Sequence, residues 1–180
     1  TSPPIVCNDL VIVGSSIKDI PKSEQMPPGD VRAFDVNTGL LVWRFKPIPS
    51  RGDAGSETWS DPSSLEMGGA NVWATMSCDE DSNIVYLPTT SPSDDHFGGN
   101  RKGDNVYSNS IVAFDNASGI PIWYFQTIRH DLWDYDLPTA PVLFDLPLES
   151  GDETLLAQVS KQGYVYVLDR LTGIPKWPFT

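Results

Sequence analysis

Three stretches repeat one pattern, and that pattern limits what the chain can fold into. AFDVNTGLLVW (33–43), AFDNASGIPIW (113–123) and VLDRLTGIPKW (167–177) each read apolar, apolar, Asp, two variable residues, Thr or Ser, Gly, three more residues, Trp. Alternating apolar residues running into a Gly-containing turn predict a β-hairpin. Asp35, Asp115 and Asp169 can accept hydrogen bonds from the N–H groups of their turns, and Gly39, Gly119 and Gly173 take positive φ cheaply. The chain then returns carrying Trp43, Trp123 or Trp177, a large ring suited to packing one sheet on the next.

Further strand-like runs lie around these hairpins: 10–16, 71–77, 83–90, 154–160 and 164–169. No amphipathic helical stretch of useful length competes with them. The expected fold class is all-β, a β-propeller of four-stranded blades, with about three blades in residues 1–180. Three blades cannot close a ring, so the chain is expected to be part of one longer propeller domain. Loops 18–30, 46–70 and 91–108 are long and polar, the kind of segment that carries function on a rigid scaffold.

Composition narrows the function. The chain has 180 residues, 16 Pro, 14 Gly and a net charge of −12. Such acidity argues against nucleic acid and anionic membrane surfaces as partners. Cys7 and Cys78 form no CxxC or CxxCH, which argues against a zinc knuckle or covalent haem within the chain. One disulfide between them is open, and two separate buried thiols are the expectation.

One stretch carries chemistry. RHDLWDYDLP (129–138) sets Asp131, Asp134 and Asp136 among His130, Trp133 and Tyr135. Like charges this close repel, and burial would raise their pKa values. The residues themselves leave two readings, a surface turn or a site that abstracts a proton or holds a metal.

The hairpins, together with NIVYLPTT, FGGNR, WYFQT, HDLWDYDLP and YVYVLDRLTG, resemble the quinoprotein dehydrogenases over nearly the whole chain. The similarity is to the membrane-type glucose dehydrogenase branch with its sugar, polyol and quinate relatives. It implies an eight-bladed propeller holding pyrroloquinoline quinone (PQQ) and a divalent metal, Ca²⁺ or Mg²⁺. It implies Asp134 as the general base that takes the alcohol proton while hydride leaves for the quinone, with the metal as Lewis acid. Lys161 matches the lysine that touches the quinone oxygens. Trp73 matches the tryptophan that stacks on the quinone ring, Asn71, two residues earlier on the same strand face, is expected to reach the cofactor, and Ser16 is expected to bond a PQQ carboxylate. The metal ligands implied are Asp19, Ser91 and Ser93, with Ser91 where relatives often have asparagine. Asp131 and Asp136 become shaping or hydrogen-bonding residues. Arg129 replaces a second histidine beside His130, which bears on how sugar hydroxyls or a carboxylated substrate are held. Asn100 and Arg101 lie in a loop whose match implies a place at the active-site mouth, and the residues themselves read as solvated loop positions. The partners implied are a sugar or polyol, a quinone or cytochrome acceptor, and the remaining blades of the parent. The setting implied is the periplasm, with any membrane anchor outside residues 1–180. The rival reading is a non-enzymatic propeller that binds proteins.

Overall fold

Each Asp–Gly–Trp hairpin is closed by its own aspartate. In the computed structural model, which describes residues 2–17, 26–60, 67–149 and 151–178, Asp35 Oδ1 accepts from Asn37 N at 3.1 Å, Thr38 N at 2.7 Å and Thr38 Oγ1 at 2.8 Å. Asp115 is bonded in the same way by Ser118, and Asp169 by Leu171 and Thr172. The Thr38 and Ser118 hydroxyls, followed by the backbone amides, hold the Asp35 and Asp115 carboxyls below their usual pKa. Gly39, Gly119 and Gly173 sit at φ 68°, 68° and 73°, the left-handed region that each turn requires.

These hairpins form the far edges of antiparallel sheets. The first sheet has the order β1(Ile5–Cys7), β2(Leu10–Val13), β3(Val31–Asp35), β4(Leu41–Phe45). The second repeats it with β5(Ser77–Asp79), β6(Ile84–Pro88), β7(Ser110–Asp115), β8(Pro121–Gln126). The third has β9(Val142–Leu146), β10(Glu153–Val159) and β11(Val165–Asp169), with an isolated Leu168–Pro175 bridge beyond β11. The register shifts at Ala33/Phe34 and again at Ala113/Phe114, so even the irregularity repeats. Among the described residues, the one helical element is a short 3-10 turn at Ser56–Thr58.

The signature rings join sheet to sheet. Trp43 Nε1 donates to Asn116 O at 2.7 Å, and Trp123 Nε1 to Arg170 O at 3.2 Å. Both acceptors directly follow a turn aspartate of the next sheet. Trp43 also lies on Gly119, where a Cβ would come within 2.4 Å of the ring, and Trp123 lies likewise on Gly173 at 2.6 Å. Trp177 is 56% exposed, while open space lies over Gly39. The central sheet is apolar on both faces. Val85, Leu87, Val112 and Phe114 pack toward the first sheet, and Ile84, Tyr86, Ile111 and Ala113 toward the third. That is the period-two side-chain alternation of a strand with both faces covered.

The structure differs from two sequence expectations. Cys7 and Cys78 form a disulfide rather than two thiols, with Cα atoms 5.7 Å apart. β1 and β5, the first strands of neighbouring sheets, lie side by side and bring the two cysteines together. Residues 71–76 are not a strand. This segment gives its backbone bonds to several different partners rather than to one ladder: Ser15 N donates to Val72 O at 3.0 Å, and Thr90 N to Asn71 O at 3.1 Å.

Candidate active site

The expected site residues gather where β2, β6 and β10 run out of their sheets. Ser15 and Ser16 follow β2, Thr89–Ser93 follow β6, and Ser160–Lys161 follow β10. The 129–137 segment that follows β8 crosses this same end and meets all but the first group directly. Its aspartates play three different parts.

Asp131 is fully buried and organises its own loop. It accepts from Trp133 N at 3.0 Å, Tyr135 N at 2.7 Å, Asn109 Nδ2 at 2.9 Å and the Ser91 hydroxyl. Asp136 is buried and faces the neighbouring segments. Its Oδ1 accepts from Ser91 N at 2.9 Å. Its Oδ2 accepts from Lys161 Nζ at 3.0 Å and Trp73 Nε1 at 3.2 Å. Its carbonyl accepts from Lys161 N at 3.2 Å, so the lysine is gripped at both ends. Burial raises the Asp136 pKa, and the Ser91 amide and Lys161 ammonium only partly offset this.

Asp134 is the carboxylate left facing outward. Its side chain is 35% exposed, and Oδ2 lies 2.8 Å from Lys161 Nζ. Burial opposes the charge on Lys161, but hydrogen bonds to Asp134 and Asp136 outweigh it and raise the lysine pKa above its ordinary value. The structure therefore brings Asp134, Lys161 and Trp73 together around Asp136. Trp133 stacks on Tyr135 in the same segment, with ring centroids 5.9 Å apart, and remains 57% exposed.

The remaining candidates differ in their surroundings. Asn71 is buried and donates to Ser15 O at 2.6 Å, which ties the strip bearing Trp73 to the end of β2. Ser16 is exposed beside Ser15, whose buried hydroxyl has no hydrogen-bond partner among the described residues. Ser91 links two carboxylates, its hydroxyl on Asp131 and its amide on Asp136. Ser93 is buried, with its amide on Gly68 O at 3.0 Å. Asp19 lies outside the described residues. Among the described residues, no group of three or more His, Cys, Asp or Glu is set to hold a metal. Arg129 pairs at 3.7 Å with Asp104 on the surface, and His130 Nδ1 lies 3.0 Å from Gly103 O.

Arg101 overturns its sequence reading. It is fully buried rather than solvated. Its guanidinium donates to Asp131 O at 2.5 Å, Asp94 O at 3.0 Å and Asn105 Oδ1 at 3.1 Å, fastening the 94–105 loop under the aspartate loop. Burial lowers its pKa, and the nearby Asp131 opposes that shift. Asn109, the other residue that sequence reasoning missed, is buried and bears on Asp131. No pattern in the sequence marks it. A long loop rich in Gly and Asn was the one available signal for Arg101.

Comparison with known proteins identifies the family. The family model described as "PQQ: Glucose/ethanol/alcohol dehydrogenase, beta-propeller domain" matches residues 1–180. The quinate/shikimate dehydrogenase (quinone) of Acinetobacter baylyi is 39% identical over 177 residues, covering 97% of this chain and 21% of that protein. The quinoprotein glucose dehydrogenase of Escherichia coli is 36% identical over 174 residues, covering 96% and 21%. The chain thus spans about a fifth of the length of these relatives. The crystal structure of quinohemoprotein alcohol dehydrogenase from Comamonas testosteroni superposes with a TM-score of 0.81 at 29% identity, covering 96% of this chain and 27% of that one. With its repeated hairpins, its three sheets and a match along its whole length, the chain belongs to the β-propeller domain family of the PQQ-dependent glucose, ethanol and alcohol dehydrogenases.

Proposed function

We propose that the chain forms part of a PQQ-dependent dehydrogenase that oxidises a sugar, polyol or related alcohol, with Asp134 as general base. The observation that carries this is the contact of Asp134 Oδ2 with Lys161 Nζ at 2.8 Å, on a lysine that Asp136 also ties to Trp73. A scaffold propeller has no need to set an outward carboxylate, an ammonium and a half-buried indole around one buried charge.

The residues present suit the cofactor. Trp73 keeps part of its indole exposed for stacking. The orphaned Ser15 hydroxyl, with exposed Ser16 beside it, offers donors to a carboxylated ring. Bound PQQ supplies the quinone carbonyl that accepts hydride from the alcohol carbon. Asp134 takes the hydroxyl proton of the same alcohol. Lys161, kept cationic by its two carboxylate partners, is the group placed to meet the quinone oxygens. A Ca²⁺ or Mg²⁺ ion would need oxygen donors beyond Ser91 and Ser93, with Asp19 outside the described residues. The described residues do not build such a shell by themselves, and the Ser91 hydroxyl is already committed to Asp131.

The proposed electron acceptor is a quinone or cytochrome, and the proposed setting is the periplasm. The Cys7–Cys78 disulfide supports an oxidising compartment. Residues 1–180 are proposed to form part of a single propeller domain completed by further blades.

The test is Asp134→Asn in the full-length protein, with bound PQQ and turnover measured in parallel. Retained PQQ with turnover reduced ~10²–10⁴-fold is expected, the usual worth of general base catalysis. Parental turnover in this variant would remove Asp134 from the chemistry, and failure of the parent to bind PQQ would favour a scaffold.

A further inference from the structure

Asp134 sits in the left-handed backbone region, which costs any residue other than glycine, aspartate less than most. Its φ is +59°, in the left-handed region, so the surroundings must hold it there. The two amides flanking it, Trp133 N and Tyr135 N, both donate to the Asp131 carboxylate, at 3.0 and 2.7 Å. Asn109 Nδ2 at 2.9 Å and the Ser91 hydroxyl occupy the rest of that carboxylate. Asp131 is fully buried, and none of the ion pairs among the described residues involves it. Its neighbour Arg101 instead donates to its carbonyl, at 2.5 Å.

Burying a carboxylate is costly even with the Arg101 guanidinium nearby, and a surface turn can be closed by asparagine. Asparagine would not serve here. Four donors converge on two oxygens, and an amide NH₂ in place of one oxygen would face donors. A carboxyl, with acceptor capacity on both oxygens, suits the set, and what the set holds in place is the turn presenting Asp134 to Lys161.

We propose that Asp131 is a positioning residue for the reaction: its buried carboxylate clamps the amides on both sides of Asp134 and so fixes the base. This rests on Asp134 being the base. Displacing a reacting group by about 1 Å can cost ~10²-fold in rate. In the full-length enzyme loaded with PQQ, Asp131→Asn is therefore expected to lower kcat by ~10–10²-fold, with KM and bound PQQ little changed. The readout that separates positioning from general support is the double variant. If Asp131 acts through Asp134, Asp131→Asn adds no further loss in an Asp134→Asn background.

An equal loss in both backgrounds overturns the proposal, as does parental kcat in Asp131→Asn alone. Parental turnover in Asp134→Asn is a different result: it sinks the base reading and this proposal with it. If Asp131→Asn fails to fold, Asn109→Gly, which suits the φ of +46° there, takes its place under the same criterion. That variant removes one of the four donors and keeps the carboxylate. A smaller kcat loss, about 3–10-fold, is expected, again absent when Asp134 is already Asn.

Discussion

At the residue scale, one lysine couples the two sides of the site. Lys161 Nζ lies 2.8 Å from Asp134 and 3.0 Å from Asp136, and its pKa is raised despite partial burial. The folded protein therefore holds this proton more tightly than the unfolded chain. The stability it contributes is complete below the ordinary lysine value of 10.5 and is lost as pH rises through the higher folded value. Lys161→Met is expected to lower the denaturation midpoint at pH 8, with the gap to the parent closing as pH climbs above about 10.5. Denaturant unfolding of both proteins across that range is the measurement. A gap independent of pH would mean that Lys161 stabilises through packing alone.

At the scale of elements, the hairpin is the unit that joins sheets. Gly119 carries both demands, a φ of +68° and the Trp43 ring over the place a Cβ would occupy. Gly119→Ala adds left-handed strain of roughly 1–2 kcal/mol to overpacking of about 1–3 kcal/mol. A stability loss of ~2–5 kcal/mol in the full-length protein is expected from the two together. Loss of the Trp43 Nε1 bond to Asn116 O should accompany it, read as a change in tryptophan emission. Gly39 has the same φ with nothing over it in this chain, so Gly39→Ala pays the backbone part alone unless a further sheet seats a ring there.

At the scale of the whole molecule, the disulfide ties the first sheet to the second. Cys7 and Cys78 are 71 residues apart in sequence. Closing a loop of this length restricts the unfolded chain by about 4 kcal/mol in the chain-entropy model. Cys7→Ser with Cys78→Ser, or reduction of the parent, should lower stability by ~2–5 kcal/mol. PQQ binding should survive at low temperature, because neither cysteine touches the residues around Asp136. Midpoints with and without reductant check the first claim, and cofactor retention after reduction checks the second.

The repeat by itself determined the fold class, because the turn aspartate, the left-handed glycine and the alternating strand residues act within a dozen residues of one another. The resemblance carried by HDLWDYDLP pointed to the region of the site, and Asp134, Lys161 and Trp73 do meet there. Tertiary structure alone decided how the labour divides among the three aspartates. Asp131 and Asp136 look alike in sequence, yet the donors that occupy them from outside the loop come from Ser91, Asn109, Trp73 and Lys161, 22 to 63 residues away from their acceptors. The disulfide and the burial of Arg101 were hidden for the same reason. A cysteine finds its partner only when β1 and β5 lie side by side, and a loop arginine is desolvated only when another loop closes over it. Local physics writes the hairpins into the sequence, whereas burial and pairing across sheets exist only once the sheets have stacked.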